Sequence, residues 1–203
     1  MTATTVYFSV IAEPAGDPSS RRARSSALAR SLLSRMLAAV CNLAPADIRI
    51  SVEPSGKPFL EPAGGRPLPF ISLAHTQGWI ACAATAIGPL GIDIEWHRRG
   101  RDHAGIARAA FGRLEQERAR ASTPAFYRIW TLREAVAKAT GAGLKLAADR
   151  RDRVHDGPDD GSWRARLDEA YWHLSHHRLR EDLSLATAVM LEDSSQAVEI
   201  QRW

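Results

Sequence analysis

The stretch F-Y-R-I-W-T-L-R-E-A-V-A-K-A-T-G-A-G-L, residues 126–144, decides how the rest of the chain is read. Ala, Leu, Arg, Glu and Lys dominate it, no proline interrupts it, and Gly141 and Gly143 stand where a helix stops. Thr123 or Ser122, followed by Pro124, supplies the opening. At 100° per residue Ile129, Leu132, Val136 and Ala139 form an apolar stripe, and Trp130, Glu134 and Lys138 line a face nearly opposite. Two readings of that second face compete. A solvated Glu–Lys pair is common and worth only ~0.2–0.5 kcal/mol. A tryptophan on a polar face, however, usually covers something, and a carboxylate, an ammonium and an indole in a row suit a metal, a phosphate and an apolar moiety.

A second carboxylate cluster is G-I-D-I-E at 91–95. In a strand Ile92 and Ile94 point one way, and Asp93 and Glu95 the other, roughly 6.5–7 Å apart along the strand. An edge strand wetting its polar side explains the pattern on its own. With Glu134 as a third carboxylate, octahedral Mg²⁺ becomes the alternative, since two adjacent carboxylates repel unless a cation lies between them. Zinc is disfavoured: His173, His176 and His177 have no cysteine partner and read as surface residues. His75 beside a strand and Lys57 in a Gly-Lys-Pro loop are weak signals taken singly.

The 203 residues carry 45% apolar and 25% charged side chains, the balance of an ordinary globular protein. A formal charge of +4 suits an acidic partner or a polyphosphate, and falls short of a nucleic-acid binder. The lysines are Lys57, Lys138 and Lys145, so each is informative against the arginine excess. Cys41 and Cys82 fit neither a disulfide framework nor a metal pair, and Cys82 reads as a buried hydrophobe. Without a signal-like start or a membrane-length apolar run, the expectation is a cytoplasmic protein that engages no membrane.

In order, the pattern predicts a strand at 5–12, a loop at 14–20 and a helix at 20–42. Arg24 and its neighbours stand at the opening of that helix. Strands follow at 48–52 and 70–73, then a hairpin of 79–87 with 90–95 turned by Gly88-Pro89. Short helices are expected at 106–111 and 114–121, after a basic run at 97–101 read as a solvated loop. Beyond the long helix come a mobile polar loop at 149–162 and strands at 163–167, 171–179, 183–190 and 197–203. The expected fold class is α+β, with two similar lobes forming a pseudo-dimer, each a long helix packed on a small antiparallel sheet. The lobes are expected at 1–90 and 91–203, the second carrying the carboxylates.

Together G-K-P at 56–58, the histidine segment at 72–79, G-I-D-I-E at 91–95 and W-T-L-R-E-A-V-A-K at 130–138 resemble the 4'-phosphopantetheinyl transferases. The likeness is to the monomeric two-lobed kind that activates peptide and polyketide synthetases. Phe111 and Glu115 also fit the family's intervening helices. The resemblance implies an enzyme that moves 4'-phosphopantetheine from coenzyme A to a serine of an acidic acyl or peptidyl carrier protein, releasing adenosine 3',5'-bisphosphate. It implies Mg²⁺ on Asp93, Glu95 and Glu134. The serine proton would go to Glu134 directly or through a metal-bound water, and Lys138 would neutralise the pyrophosphate. His75 would meet the 3'-phosphate, Lys57 and Arg24 the nucleotide end, and Trp130 the pantetheine or the metal site. Arg133 stands where the family has lysine, and Ala74 where it often has serine, with Thr76 placed to compensate. A catalytically silent relative that binds carrier protein or coenzyme A is the alternative; it would have lost a metal carboxylate, and none is lost.

Overall fold

The computed structural model describes residues 4–13, 20–61, 67–143 and 150–203. Most of the loop expected at 14–20, together with Leu144 and Lys145, lies outside the described residues. Strand β1 (Thr5–Ala12) leads to helix α1 (Arg21–Cys41), then to a small antiparallel ribbon of β2 (Ile50–Val52) and β3 (Pro58–Leu60). Strands β4 (Phe70–Thr76), β5 (Trp79–Thr85) and β6 (Leu90–Trp96) follow. Helices α2 (His103–Ala110), α3 (Arg113–Ala119) and α4 (Thr123–Thr140) precede strands β7 (Gly161–Leu167), β8 (Ala170–Arg180), β9 (Leu183–Leu191) and β10 (Glu199–Arg202).

Two four-stranded sheets stand face to face. One has the order β10-β1-β5-β4, the other β6-β9-β8-β7. The second is antiparallel throughout; in the first, β10 runs parallel to β1. Ala29, Leu32, Leu33, Met36 and Leu37 of α1 bury one face of the first sheet, meeting Ile71, Ile80, Cys82 and Ala84. The opposite face, with Val6, Phe8, Ala81 and Ala83, packs on Ile92, Ile94, Leu185 and Val189 of the second sheet. That sheet's far side, including Leu174, Ala186 and Ala188, is covered by α4. The layers therefore run helix, sheet, sheet, helix. Because β5 is buried on both faces, its sequence is a continuous apolar run rather than an alternation.

Two expectations are corrected. Strands 79–85 and 90–96 do not form a hairpin: β5 pairs with β1 and β4, whereas β6 pairs with β9, so Gly88-Pro89 carries the chain from one sheet to the other. The last strand, expected in the second half, joins the first sheet, pairing Thr5–Phe8 with Glu199–Arg202. Neither pairing leaves a local sequence signal, because each is settled by the packing of distant segments. The two sheets also meet edge to edge, where hydroxyls replace a ladder. Ser72 of β4 accepts from the Ile92 N–H at 3.0 Å, and Thr76 from the Trp96 N–H at 3.3 Å.

Candidate active site

Helix α4 opens as its sequence predicts. The Ser122 hydroxyl accepts from the Ala125 N–H at 3.2 Å, and Pro124 sits in the first turn, where its missing N–H costs nothing. Gly141, at φ 71°, closes the helix in a left-handed conformation. Between these caps the burial is wider than a single stripe. From Phe126 to Ala139 every residue is buried except Trp130, Glu134 and Lys138, which are half-buried.

Two arginines make this possible. Arg133 pairs with the fully buried Glu115 at 2.8 Å and donates to the Arg151 carbonyl at 3.1 Å. The Arg128 guanidinium donates to the carbonyls of Pro158, Val154 and Asp156 at 2.9, 3.1 and 2.5 Å, over the ring of Trp163. Glu115 also accepts the backbone N–H groups of Gly112, Arg153 and Val154. The described part of the loop expected to be mobile is thus tied to α3 and α4.

Gly91 sets the approach of helix to strand. A Cβ there would stand 1.8 Å from the Ala135 carbonyl oxygen and 2.7 Å from the Ala139 nitrogen. With no side chain in the way, Lys138 reaches Asp93, Nζ to Oδ1, at 2.7 Å. The other oxygen of Asp93, Oδ2, is buried and accepts from no group among the described residues. Burial pushes the Asp93 carboxyl up to about 7; Lys138 pulls it down, while Glu95 and Glu134 push it further up. Glu134 is likewise raised, first by burial, with Lys138 opposing and Glu95 adding. The three carboxylates therefore share one electrostatic neighbourhood.

Glu95 is held at both oxygens. Its Oε1 accepts from the Trp130 indole N–H at 3.1 Å, and its Oε2 from the Thr76 hydroxyl at 3.3 Å. Beside Glu134 and Lys138 opens a cleft of about 150 Å³, whose lining also includes Ser55, Lys57, Ser72 and Gly141. The Lys57 ammonium donates to the Ala139 carbonyl at 2.5 Å, at the C-terminal end of α4, and burial lowers its proton affinity. Asp93, Glu95, Glu134, Lys138, Trp130 and Thr76 are thus gathered, with Lys57 on the cleft lining. His75 and Arg24 stand apart. His75 is exposed on the face of β4 shared with Ile71 and Leu73, which pack towards α1, and Arg24 pairs with Glu13 at 3.3 Å.

Among the described residues no three His, Cys, Asp or Glu side chains converge on one point as a finished metal site. The donor chemistry still fits a hard divalent cation. Asp93 keeps one buried carboxylate oxygen without a partner among the described residues, and the charges of Glu95 and Glu134 add to its cost, an arrangement that a cation or a proton would relieve.

Sequence reading misplaces several side chains. His173 and His176, expected at the surface, are buried, and His177 stacks on Phe8 with ring centres 5.6 Å apart. His173 and His177 alternate with Trp172 and Leu174, while His176 shares the face of those two apolar residues, and both faces of β8 are covered. In the basic run, His97 is buried, 2.9 Å from the Ser184 hydroxyl and stacked on Tyr127 at 4.4 Å. Arg101 lies over the Trp130 ring at 4.7 Å.

Glu134 and Lys138 of α4 thus line a cleft, with Asp93 and Glu95 of β6 beside them. The model of the 4'-phosphopantetheinyl transferase superfamily matches residues 89–188 of the chain. The chain is 30% identical over 120 residues to the 4'-phosphopantetheinyl transferase HetI of Nostoc sp. (strain PCC 7120), covering 57% of this chain and 51% of that protein. A 4'-phosphopantetheinyl transferase of Bacillus subtilis is 35% identical over 112 residues, 53% of this chain and 47% of the relative. The transferase Sfp of Bacillus subtilis (strain 168) is 32% identical over 127 residues, 60% and 52% of the two chains. The chain spans about half the length of these curated relatives. No helix among the described residues is long and apolar enough to cross a membrane.

Proposed function

We propose that the protein is a holo-[acyl-carrier-protein] synthase, transferring 4'-phosphopantetheine from coenzyme A to a serine of an acidic acyl or peptidyl carrier protein. The reading includes a monomer of two helix-on-sheet halves, 1–90 and 91–203 apart from the final strand, related as a pseudo-dimer. One observation carries it: Asp93 presents one oxygen to Lys138 and a second, buried and unpartnered among the described residues, to the neighbourhood of Glu95 and Glu134.

In the proposed reaction the serine oxygen attacks the phosphorus that bears the pantetheine arm. The bond from that phosphorus to the bridging oxygen breaks, and adenosine 3',5'-bisphosphate leaves. Asp93, Glu95 and Glu134 would hold Mg²⁺, which when bound neutralises charge on the diphosphate. Lys138 binds the diphosphate as a point charge while Asp93 fixes its direction. Glu134 takes the serine proton, a role that its raised proton affinity suits. Glu95, held by Trp130 and Thr76, keeps its orientation throughout. Lys57 and Arg24 would receive the nucleotide end, and His75 the 3'-phosphate. A silent relative is disfavoured because all three carboxylates and Lys138 are present.

The test is incubation with coenzyme A, Mg²⁺ and a panel of apo-carrier proteins, followed by mass spectrometry of the carriers. A mass increase of one phosphopantetheine on at least one carrier, abolished by excess chelator, is expected. Unmodified carriers across the panel, or turnover that persists in chelator, would contradict the proposal.

A further inference from the structure

The basic run after β6 contributes a residue to this site that its sequence does not announce. Arg101 is half-buried, and its guanidinium carbon lies 4.7 Å from the centre of the Trp130 ring, 5.8 Å from Tyr127 and 5.9 Å from Phe126. The Trp130 ring in turn lies nearly parallel to Phe126, centres 6.2 Å apart, and near Phe111 at 6.4 Å. The indole is therefore packed by rings, covered by a cation and bonded through its N–H to Glu95 at 3.1 Å. Arg101 and Glu95 also share the wall of an open hollow of about 400 Å³ with Arg98 and Arg99.

We infer that Arg101 is a positioning residue for the proposed transfer: it holds the Trp130 indole over its ring face, and the indole holds Glu95. The physical reason is that both contacts act in one sense. A cation over the ring draws electron density from it, which strengthens the N–H as a donor, and the carboxylate at the ring edge receives that N–H. Thr76 fixes the second oxygen of Glu95, so removing Arg101 loosens one of its two anchors and leaves the other. The inference rests on the transferase reading for its kinetic consequence, while its structural content can be tested without it.

The experiment uses the full chain labelled with ¹⁵N-tryptophan, free of coenzyme A and metal. The Trp130 indole signal is assigned by its disappearance in Trp130→Phe. In Arg101→Leu the indole proton is expected to exchange with solvent about tenfold faster and to shift upfield, with the melting temperature little changed, while Arg101→Lys retains most of the protection. In the transfer assay Arg101→Leu is expected to lower kcat about tenfold and to leave KM for coenzyme A within about twofold. A Trp130 signal with wild-type position and exchange in Arg101→Leu overturns the inference. So does a raised KM with kcat intact, which would assign Arg101 to the substrate directly. If the wild-type protein modifies no carrier, the transferase reading fails, and the indole measurement still decides whether Arg101 holds Trp130.

Discussion

Helices α1 and α4 each cover the outer face of one sheet, yet their exposed rows differ. On α1 the row Ala23, Ala27, Ser31, Arg35 and Ala39 is exposed to solvent. On α4 the corresponding row is Trp130, Glu134 and Lys138, half-buried, with Glu134 and Lys138 at a cleft and Trp130 against Glu95. Both rows recur every four residues. What separates them is the side chains they carry and the strand beside them. A helix with ordinary amphipathicity stops at one stripe of burial; α4 is enclosed on all sides but one, and the side left open carries the polar groups. Charged residues take part in the enclosure: Arg128 and Arg133 are buried, held by carbonyls at 151–158 and by Glu115.

The contrast is broken most severely at Gly91. Gly91→Val should push α4 off β6, because the added Cβ alone would meet the Ala135 carbonyl oxygen at 1.8 Å. A loss exceeding about 4 kcal/mol, seen as insoluble or unfolded protein by circular dichroism, is expected. Arg35→Ala, on the solvent row of α1, should stay within about 0.5 kcal/mol of wild type. A soluble Gly91→Val chain with a normal melting temperature would refute the close-approach argument.

Next in size is the buried pair. Glu115→Ala strands the Arg133 charge and three backbone N–H groups, and should cost about 3–5 kcal/mol by denaturant titration. A cost below about 1 kcal/mol would show that the pair is not what encloses α4. Lys138→Ala should raise KM for coenzyme A or lower kcat/KM about tenfold while the melting temperature holds; unchanged kinetics would remove Lys138 from the site.

The smallest effect concerns pH. Burial lowers His97, His173 and His176 to about 4 from the usual 6.5. Groups with a depressed folded value contribute stability that is complete above 6.5 and lost as the pH falls through about 4. Asp93, raised to about 7 from 3.8, acts in the opposite sense: its contribution is present at low pH and lost as the pH rises through about 7. His173→Leu should therefore flatten the decline in unfolding free energy between pH 6.5 and 4, by an amount on the order of 1 kcal/mol in denaturant titrations. An unaltered slope would mean that His173 does not titrate with folding.

How far these features could be read from the residues follows from their range. The caps, the Trp130–Glu134–Lys138 row and the alternation of G-I-D-I-E are local, and each was visible in a dozen residues or fewer. The placement of Arg128 and Arg133 was not, because a charged side chain reads as solvated until its partners, here carbonyls at 151–158 and Glu115, are known to fold over it. The same reason hid the histidines of β8: strand alternation suggests one wet face, and the first sheet, whose Phe8 stacks on His177, covers it. Arg101 was lost within a basic run whose exposed members, Arg98 and Arg99, do behave as expected. The transfer of β10 to the first sheet depends on the closure of the whole chain, and no window of sequence contains it.

The central claim is that the half-buried row of α4 and the carboxylates of β6 form one transfer site. It is tested most directly by weighing an apo-carrier protein after incubation with coenzyme A, Mg²⁺ and Glu134→Gln, beside the wild-type chain. The account predicts that the variant keeps the wild-type melting temperature and transfers at least about a hundredfold more slowly. A Glu134→Gln protein that modifies the carrier at the wild-type rate would contradict it.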